Sequence, residues 1–203
     1  MDVELAGRAG WAPTDLARAF LDGGATVIQL RAKQLPSSAF LDLADFVVKL
    51  ARPYHATIIV NDRADIALMS AAAGVHVGQD DLPPVAARQL LGERAVVGFS
   101  THTVAQIERA VREPITYVAV GPVFGTRSKD TGYEAVGLEL VGAAARLAGT
   151  TPVVAIGGIT LDNGQSVIAA GASAVAVIGD LLVGNDPSHR TRAFVQRLGE
   201  NRV

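Results

Sequence analysis

Short runs rich in valine and isoleucine recur along the whole chain with a helical pattern between successive runs, and that alternation leaves few folds open. The runs fall at 26–32 (TVIQLRA), 57–61 (TIIVN), 74–77 (GVHV), 95–99 (AVVGF), 117–121 (YVAVG), 152–156 (PVVAI) and 174–178 (AVAVI). They are almost continuously apolar, as parallel strands covered on both faces must be. Helical patterns occupy 13–22, 37–52, 63–73, 83–91, 104–112, 138–147, 162–170 and 188–198. Strict β/α alternation builds a parallel sheet, and eight helices predict a (β/α)8 TIM barrel.

One strand is short of that count. A closed eight-stranded barrel needs a strand before Pro13, and MDVELAG is a poor one, with Asp2 and Glu4 among its first four residues. The first strand is therefore expected to be short and irregular, or missing, and the reading favoured is a chain that starts beyond it. A seven-stranded sheet would have edges to pair or cover.

The 203 residues, 1–203, suit one barrel domain. At 49% hydrophobic and 19% charged, the composition supplies a full core. A formal net charge of -2 and 5% aromatic residues give no footprint for nucleic acid or an anionic membrane. No cysteine is present, which excludes disulfides and thiolate metal sites. With no long apolar run and no secretory pattern at the N-terminus, the expected setting is cytoplasmic. The expected partners are small molecules, and a homo-oligomer is compatible with the sequence.

In such barrels the chemistry sits at the C-terminal strand ends. Gln29, Arg31 and Lys33, spaced by two, share one face of the first run while Leu30 and Ala32 take the other. Two cations aimed one way call for an anionic ligand or a nearby carboxylate, and spacing alone does not choose between them. Asn61–Asp62 ends the next run, and Asp80 and Asp81 follow GVHVGQ. Carboxylates from adjacent strand ends suit Mg2+ bound through oxygen; the alternative is that Asp62 and Asp81 cap the helices they precede. Ser100 and His102 share a strand end without the orienting acid a nucleophile needs, so Ser100 reads as a hydrogen-bonding residue and Thr103 as a helix cap. His76, inside a strand, reads as a hydrogen-bonded core histidine.

GPVFGTRSKD at 121–130 is rich in glycine and hydroxyls and carries Lys129. Its backbone N–H groups, Thr126, Ser128 and Lys129 can wrap a diphosphate. AIGGI (155–159) and AVIGD (176–180) end the last two runs, where barrels commonly bind phosphate on backbone N–H groups.

Taken together, QLRAK (29–33), ND (61–62), GVHVGQDD (74–81), GFSTHT (98–103), GPVFGTRSK (121–129), PVVAIGGIT (152–160) and GASAVAVIGD (171–180) resemble the thiamine-phosphate synthase family over nearly the whole chain. The resemblance implies a transferase that joins hydroxymethylpyrimidine diphosphate to thiazole phosphate, releasing pyrophosphate with the aid of Mg2+. It implies that Gln29, Arg31, Lys33 and Asn61 contact the pyrimidine diphosphate, and that Asp62 and Asp81 hold the metal. Ser100 and Lys129 would meet the leaving pyrophosphate, and Thr126 and Ser128 the thiazole phosphate side. Gly158, Ile178 and Gly179 would bind the thiazole phosphate through backbone groups; Gly179 stands where the family often has serine. Arg31, Lys33, Ser100 and Lys129 are the implied catalytic set. Alternatives are the related thiazole tautomerase, which has no diphosphate to neutralise, and a truncated, non-catalytic barrel that binds a phosphorylated ligand.

Overall fold

A computed structural model describes residues 1–125 and 134–199. Seven parallel strands lie side by side in chain order: β1 (Val27–Leu30), β2 (Thr57–Asn61), β3 (Gly74–Val77), β4 (Val96–Thr101), β5 (Tyr117–Val120), β6 (Val153–Ile156) and β7 (Ala174–Ala176). The helices between them give the barrel-like α/β architecture expected from the alternation. Those flanking the strands are α2 (Pro13–Asp22), α3 (Ser37–Ala51), α4 (Ala64–Met69), α5 (Pro84–Leu91), α6 (Val104–Ala110), α7 (Gly137–Ala148), α8 (Gly164–Ala169) and α9 (Pro187–Gly199), with α1 (Val3–Arg8) preceding them.

Most of these helices turn an apolar stripe inward. In α3, Phe40, Ala44, Val47 and Ala51 recur at helical spacing and are buried. Pro13 opens α2, where its fixed φ and missing N–H suit the first turn, and Leu16, Ala17, Phe20 and Leu21 are the buried face. Against these stripes the central strands bury both faces, as all four residues of β3 illustrate. Val60, Val75, Val97, Val118 and Val120 are fully buried between sheet and helices. Truncating a side chain such as Ile107, also fully buried, to alanine should cost about 2–5 kcal/mol.

At the N-terminus the first strand is short and irregular, as one of the two expectations had it, rather than missing. Residues 1–3 run beside Arg31: its N–H donates to the Met1 carbonyl at 2.9 Å, and the Val3 N–H donates to the Arg31 carbonyl at 2.9 Å. The strand is thus reduced to one parallel bridge between Asp2 and Arg31. The rest of MDVELAG is helix. Asp2 caps α1 by accepting the Leu5 N–H at 2.8 Å, Glu4 sits in its first turn and Arg8 in its last. The acids that ruin a strand here complement the helix dipole instead.

Among the described residues no pairing joins β7 to β1. Outside that seam the helix layer meets itself: Arg192 Nη2 donates to the Asp22 carbonyl at 3.1 Å, and Trp11 Nε1 donates to Asn185 Oδ1 at 3.1 Å. A Cβ on Gly23 would lie 2.6 Å from the Ser188 carbonyl oxygen, so the end of α2 presses directly on α9. The last strand stops at Ala176, short of the expected 178, and a 3-10 segment, Gly179–Asn185, follows it unanticipated.

Candidate active site

The C-terminal strand ends surround a cavity of about 540 Å3, within the range of small-ligand sites. Gln29, Arg31, Lys33, Asn61, Asp62, Asp81, Ser100, Gly158, Ile178 and Gly179 all line it. Thr126, Ser128 and Lys129 lie outside the described residues. Sequence reasoning left Asp2, Gln79 and Thr160 out of the site, although they line the same space.

One side of the cavity carries opposed charges. Lys33 Nζ stands 3.1 Å from Asp62 Oδ2. Arg31 Nη1 pairs with the Asp2 carboxylate, and Glu4 lies 4.0 Å away. The carboxylate reading of the strand-end cations therefore holds: each has a carboxylate partner, and each also lines the cavity. Arg31 Nε and Glu4 Oε2 are buried without a hydrogen-bond partner among the described residues.

The helix-capping alternative for the aspartates is not met. The cap position of α4 is Arg63 and that of α5 is Pro83, and neither helix has a side-chain cap bond. Asp62 instead adopts a left-handed φ of 65°, which turns the chain sharply at the end of β2. Asp81 folds back to accept the Gly78 N–H at 2.8 Å. Burial pushes the Asp62 carboxyl above its ordinary range; Lys33 opposes that shift and the adjacent Asp81 carboxylate adds to it. Two crowded carboxylates of this kind fit a hard divalent cation with oxygen ligands. Among the described residues no three His, Asp or Glu side chains converge on one point, so further ligands would come from substrate oxygens or water.

The other side is built from backbone. After β6 the chain takes positive φ at Gly157 (102°) and Gly158 (63°). A Cβ on Gly158 would lie 2.6 Å from the Gly125 carbonyl oxygen and 2.7 Å from Phe124 Cβ, so no side chain fits there. Asn163 Nδ2 donates to the Gly158 carbonyl at 3.1 Å, while its Oδ1 accepts the Thr160 N–H at 2.8 Å. Opposite, Ile178 and Gly179 begin the 3-10 segment, and Asp180 there accepts from Leu161 N–H at 3.1 Å and from Arg190 at 2.7 and 3.0 Å. The result is a pair of glycine turns lining the cavity, suited to a phosphate bound on backbone N–H groups.

Between the two sides stand Ser100 and His76. His76 is the buried, hydrogen-bonded histidine expected from its position, at 7% exposure, yet it also reaches the cavity. Thr103 caps α6 by accepting the Gln106 N–H at 3.2 Å, as expected. His102 Nδ1 is within hydrogen-bonding distance of the Gly121 carbonyl, at 2.5 Å.

A parallel α/β barrel with an acidic and basic mouth on one side and glycine turns after β6 and β7 on the other defines a phosphate-handling barrel enzyme. The chain belongs to the thiamine monophosphate synthase family, whose pattern matches residues 9–181. It is 46% identical over 181 residues to the thiamine-phosphate synthase of Roseiflexus sp. (strain RS-1), covering 89% of this chain and 76% of that one. It is 45% identical to that of Koribacter versatilis (strain Ellin345), covering 91% and 86%. The thiamine phosphate pyrophosphorylase structure from Pyrococcus furiosus superposes with a TM-score of 0.85 at 30% identity, covering 92% of this chain and 89% of that chain. Orotidine 5'-phosphate decarboxylase from Pyrococcus horikoshii OT3 shares the fold alone, with a TM-score of 0.65 at 16% identity, covering 92% of this chain and 92% of that chain.

Proposed function

We propose that the chain, as a single cytoplasmic catalytic domain, joins hydroxymethylpyrimidine diphosphate to thiazole phosphate, using the two sides of its cavity as two separate anion sites. Family membership makes it a thiamine-phosphate synthase. The observation that carries the assignment of roles is the contrast within one cavity: Lys33, Asp62 and Asp81 on one side, and the Gly158 and Ile178–Gly179 turns on the other.

Asp62 and Asp81 would hold Mg2+, which when bound supplies positive charge to the diphosphate oxygens. Arg31 and Lys33 orient the diphosphate and, with Lys129 and the Ser100 hydroxyl, meet the negative charge that builds on it as its C–O bond breaks. The electron pair leaves with pyrophosphate. The electron-rich aminopyrimidine spreads the resulting positive charge, and the thiazole nitrogen closes on the methylene carbon to form the C–N bond. The backbone N–H groups around Gly158, Ile178 and Gly179 anchor the thiazole phosphate so that this nitrogen faces the carbon. Gln29 and Asn61 would contact the pyrimidine diphosphate, and Thr126 and Ser128 would meet the thiazole phosphate. Neither half of the reaction needs a nucleophilic side chain or a general base. A tautomerase would give the Asp62–Asp81 pair nothing to do.

The test is product formation from both substrates. Thiamine phosphate and pyrophosphate should form together in the presence of Mg2+, and neither should form when the metal or either substrate is left out. Thiazole isomerisation without coupling would overturn the reading.

A further inference from the structure

Three neighbouring strands form a row in which a glycine stands between two rings. His76 of β3 is in register with Gly98 of β4, and Gly98 with Tyr117 of β5. A Cβ on Gly98 would lie 2.1 Å from Tyr117 Cζ and 2.6 Å from His76 Nδ1, so the glycine is what lets the rings meet above it. They stack with centroids 5.6 Å apart, inclined by 23°. Tyr117 Oη is 2.8 Å from His76 Nδ1, and His76 Nε2 is 2.8 Å from Ser100 Oγ. Ser100 follows Gly98 by two residues and so shares its face of β4. Gln79 Nε2 holds the Ser100 carbonyl at 2.6 Å, fixing the backbone beneath the hydroxyl.

Donor counting sets the proton positions along this chain. Burial raises the Tyr117 pKa, so the phenol stays protonated. Among the described residues the hydroxyl's hydrogen-bond partner is His76 Nδ1, and a buried O–H needs an acceptor. Its single proton then goes to His76 Nδ1. An imidazole that accepts at Nδ1 carries its own proton on Nε2, and that proton is given to Ser100 Oγ. The serine proton is left to point into the cavity, which Ser100 lines. We propose that Tyr117 and His76 form a polarised relay that fixes Ser100 as a hydrogen-bond donor toward the departing pyrophosphate. His76 and Tyr117 are positioning residues in this scheme, acting through Ser100. Reversed polarity would make Ser100 donate to His76 and turn its lone pairs toward an anion. The inference rests on the assignment of this side of the cavity to a diphosphate.

Ring-nitrogen NMR on isotope-labelled protein reads the tautomer, with the His76 signals assigned by their loss in His76→Gln. Wild type should show His76 protonated at Nε2, and Tyr117→Phe should shift the tautomer balance. Tyr117→Phe keeps the stacked ring and removes only the O–H, so it should lower kcat about tenfold. The KM for thiazole phosphate and the melting temperature should stay near wild type. His76 protonated at Nδ1 in the wild type, or a wild-type kcat in Tyr117→Phe, overturns the relay. The tautomer measurement needs no turnover: a chain that made no thiamine phosphate would sink the synthase reading, while the NMR result would still decide the relay.

Discussion

Asp180 accepts the Leu161 N–H at 3.1 Å and thereby ties together the two turns that form the backbone side of the cavity. The carboxylate is held by Arg190 of α9 through Nε and Nη2, at 3.0 and 2.7 Å, and is largely withdrawn from solvent. The outer helix thus reaches inward to set the spacing between the Gly158 turn and the Gly179 turn. Charge-assisted bonds of this kind are worth about 1.5–3 kcal/mol. Asp180→Ala should therefore lower stability by roughly 2 kcal/mol and raise the KM for thiazole phosphate about tenfold or more. The KM for the pyrimidine diphosphate should change little, because that substrate is assigned to the other side. Steady-state kinetics with each substrate varied in turn checks the split.

Gly158 combines a φ of 63° with a Cβ position already occupied by Gly125 and Phe124. Gly158→Ala should destabilise the fold by roughly 1–3 kcal/mol and displace the turn, weakening phosphate binding. Thermal melts with and without thiazole phosphate would show both effects. A variant that melts at the wild-type temperature and keeps the wild-type ligand shift would contradict the close approach described here.

Asp62 makes a pH-dependent contribution whose sign follows from its raised pKa. A carboxyl that holds its proton more tightly in the folded state favours the fold at low pH, and this advantage is lost as pH rises through the folded value. At neutral pH without metal, Asp62→Asn should be at least as stable as wild type, and the difference should shrink below the ordinary carboxylate range of about 4. Added Mg2+ with pyrophosphate should stabilise the wild type more than the variant. Melting curves across pH, with and without Mg2+ and pyrophosphate, test both statements.

In the proposed reaction Lys33 and Lys129 offer positive charge to the leaving group. Lys33→Ala removes the ammonium 3.1 Å from Asp62 and should reduce kcat by about 10–100-fold. Lys129→Ala should lower kcat by 100-fold or more. Circular dichroism should report an intact fold in both variants. Unchanged kcat in either would remove that lysine from the charge-neutralising set.

The sheet and most helices were legible because parallel β/α units write their burial directly into apolar runs, as GVHV does at β3 with all four residues buried. The strand-end residues were equally legible, since period-two spacing puts Gln29, Arg31 and Lys33 on the cavity side whatever the packing. The helix at Val3–Arg8 was not, because its only signals are a cap and a dipole pair in a segment of two turns. The 3-10 segment at Gly179–Asn185 has no apolar period to read. Tyr117, too, was hidden. It begins a strand in the sequence, and only the register through Gly98 brings its hydroxyl to His76. Asp2 escaped for a related reason, because its pairing with Arg31 spans the whole first β/α unit. A gap of that length carries no local pattern.

The most direct measurement is a crystal structure of the protein with both products, thiamine phosphate and pyrophosphate, in the presence of Mg2+. The expected result is pyrophosphate and metal against Lys33, Asp62 and Asp81, with the thiamine phosphate's phosphate on the backbone of Gly158, Ile178 and Gly179. Pyrophosphate bound on the glycine turns, or a metal bound away from both aspartates, would contradict the assignment of the two sides.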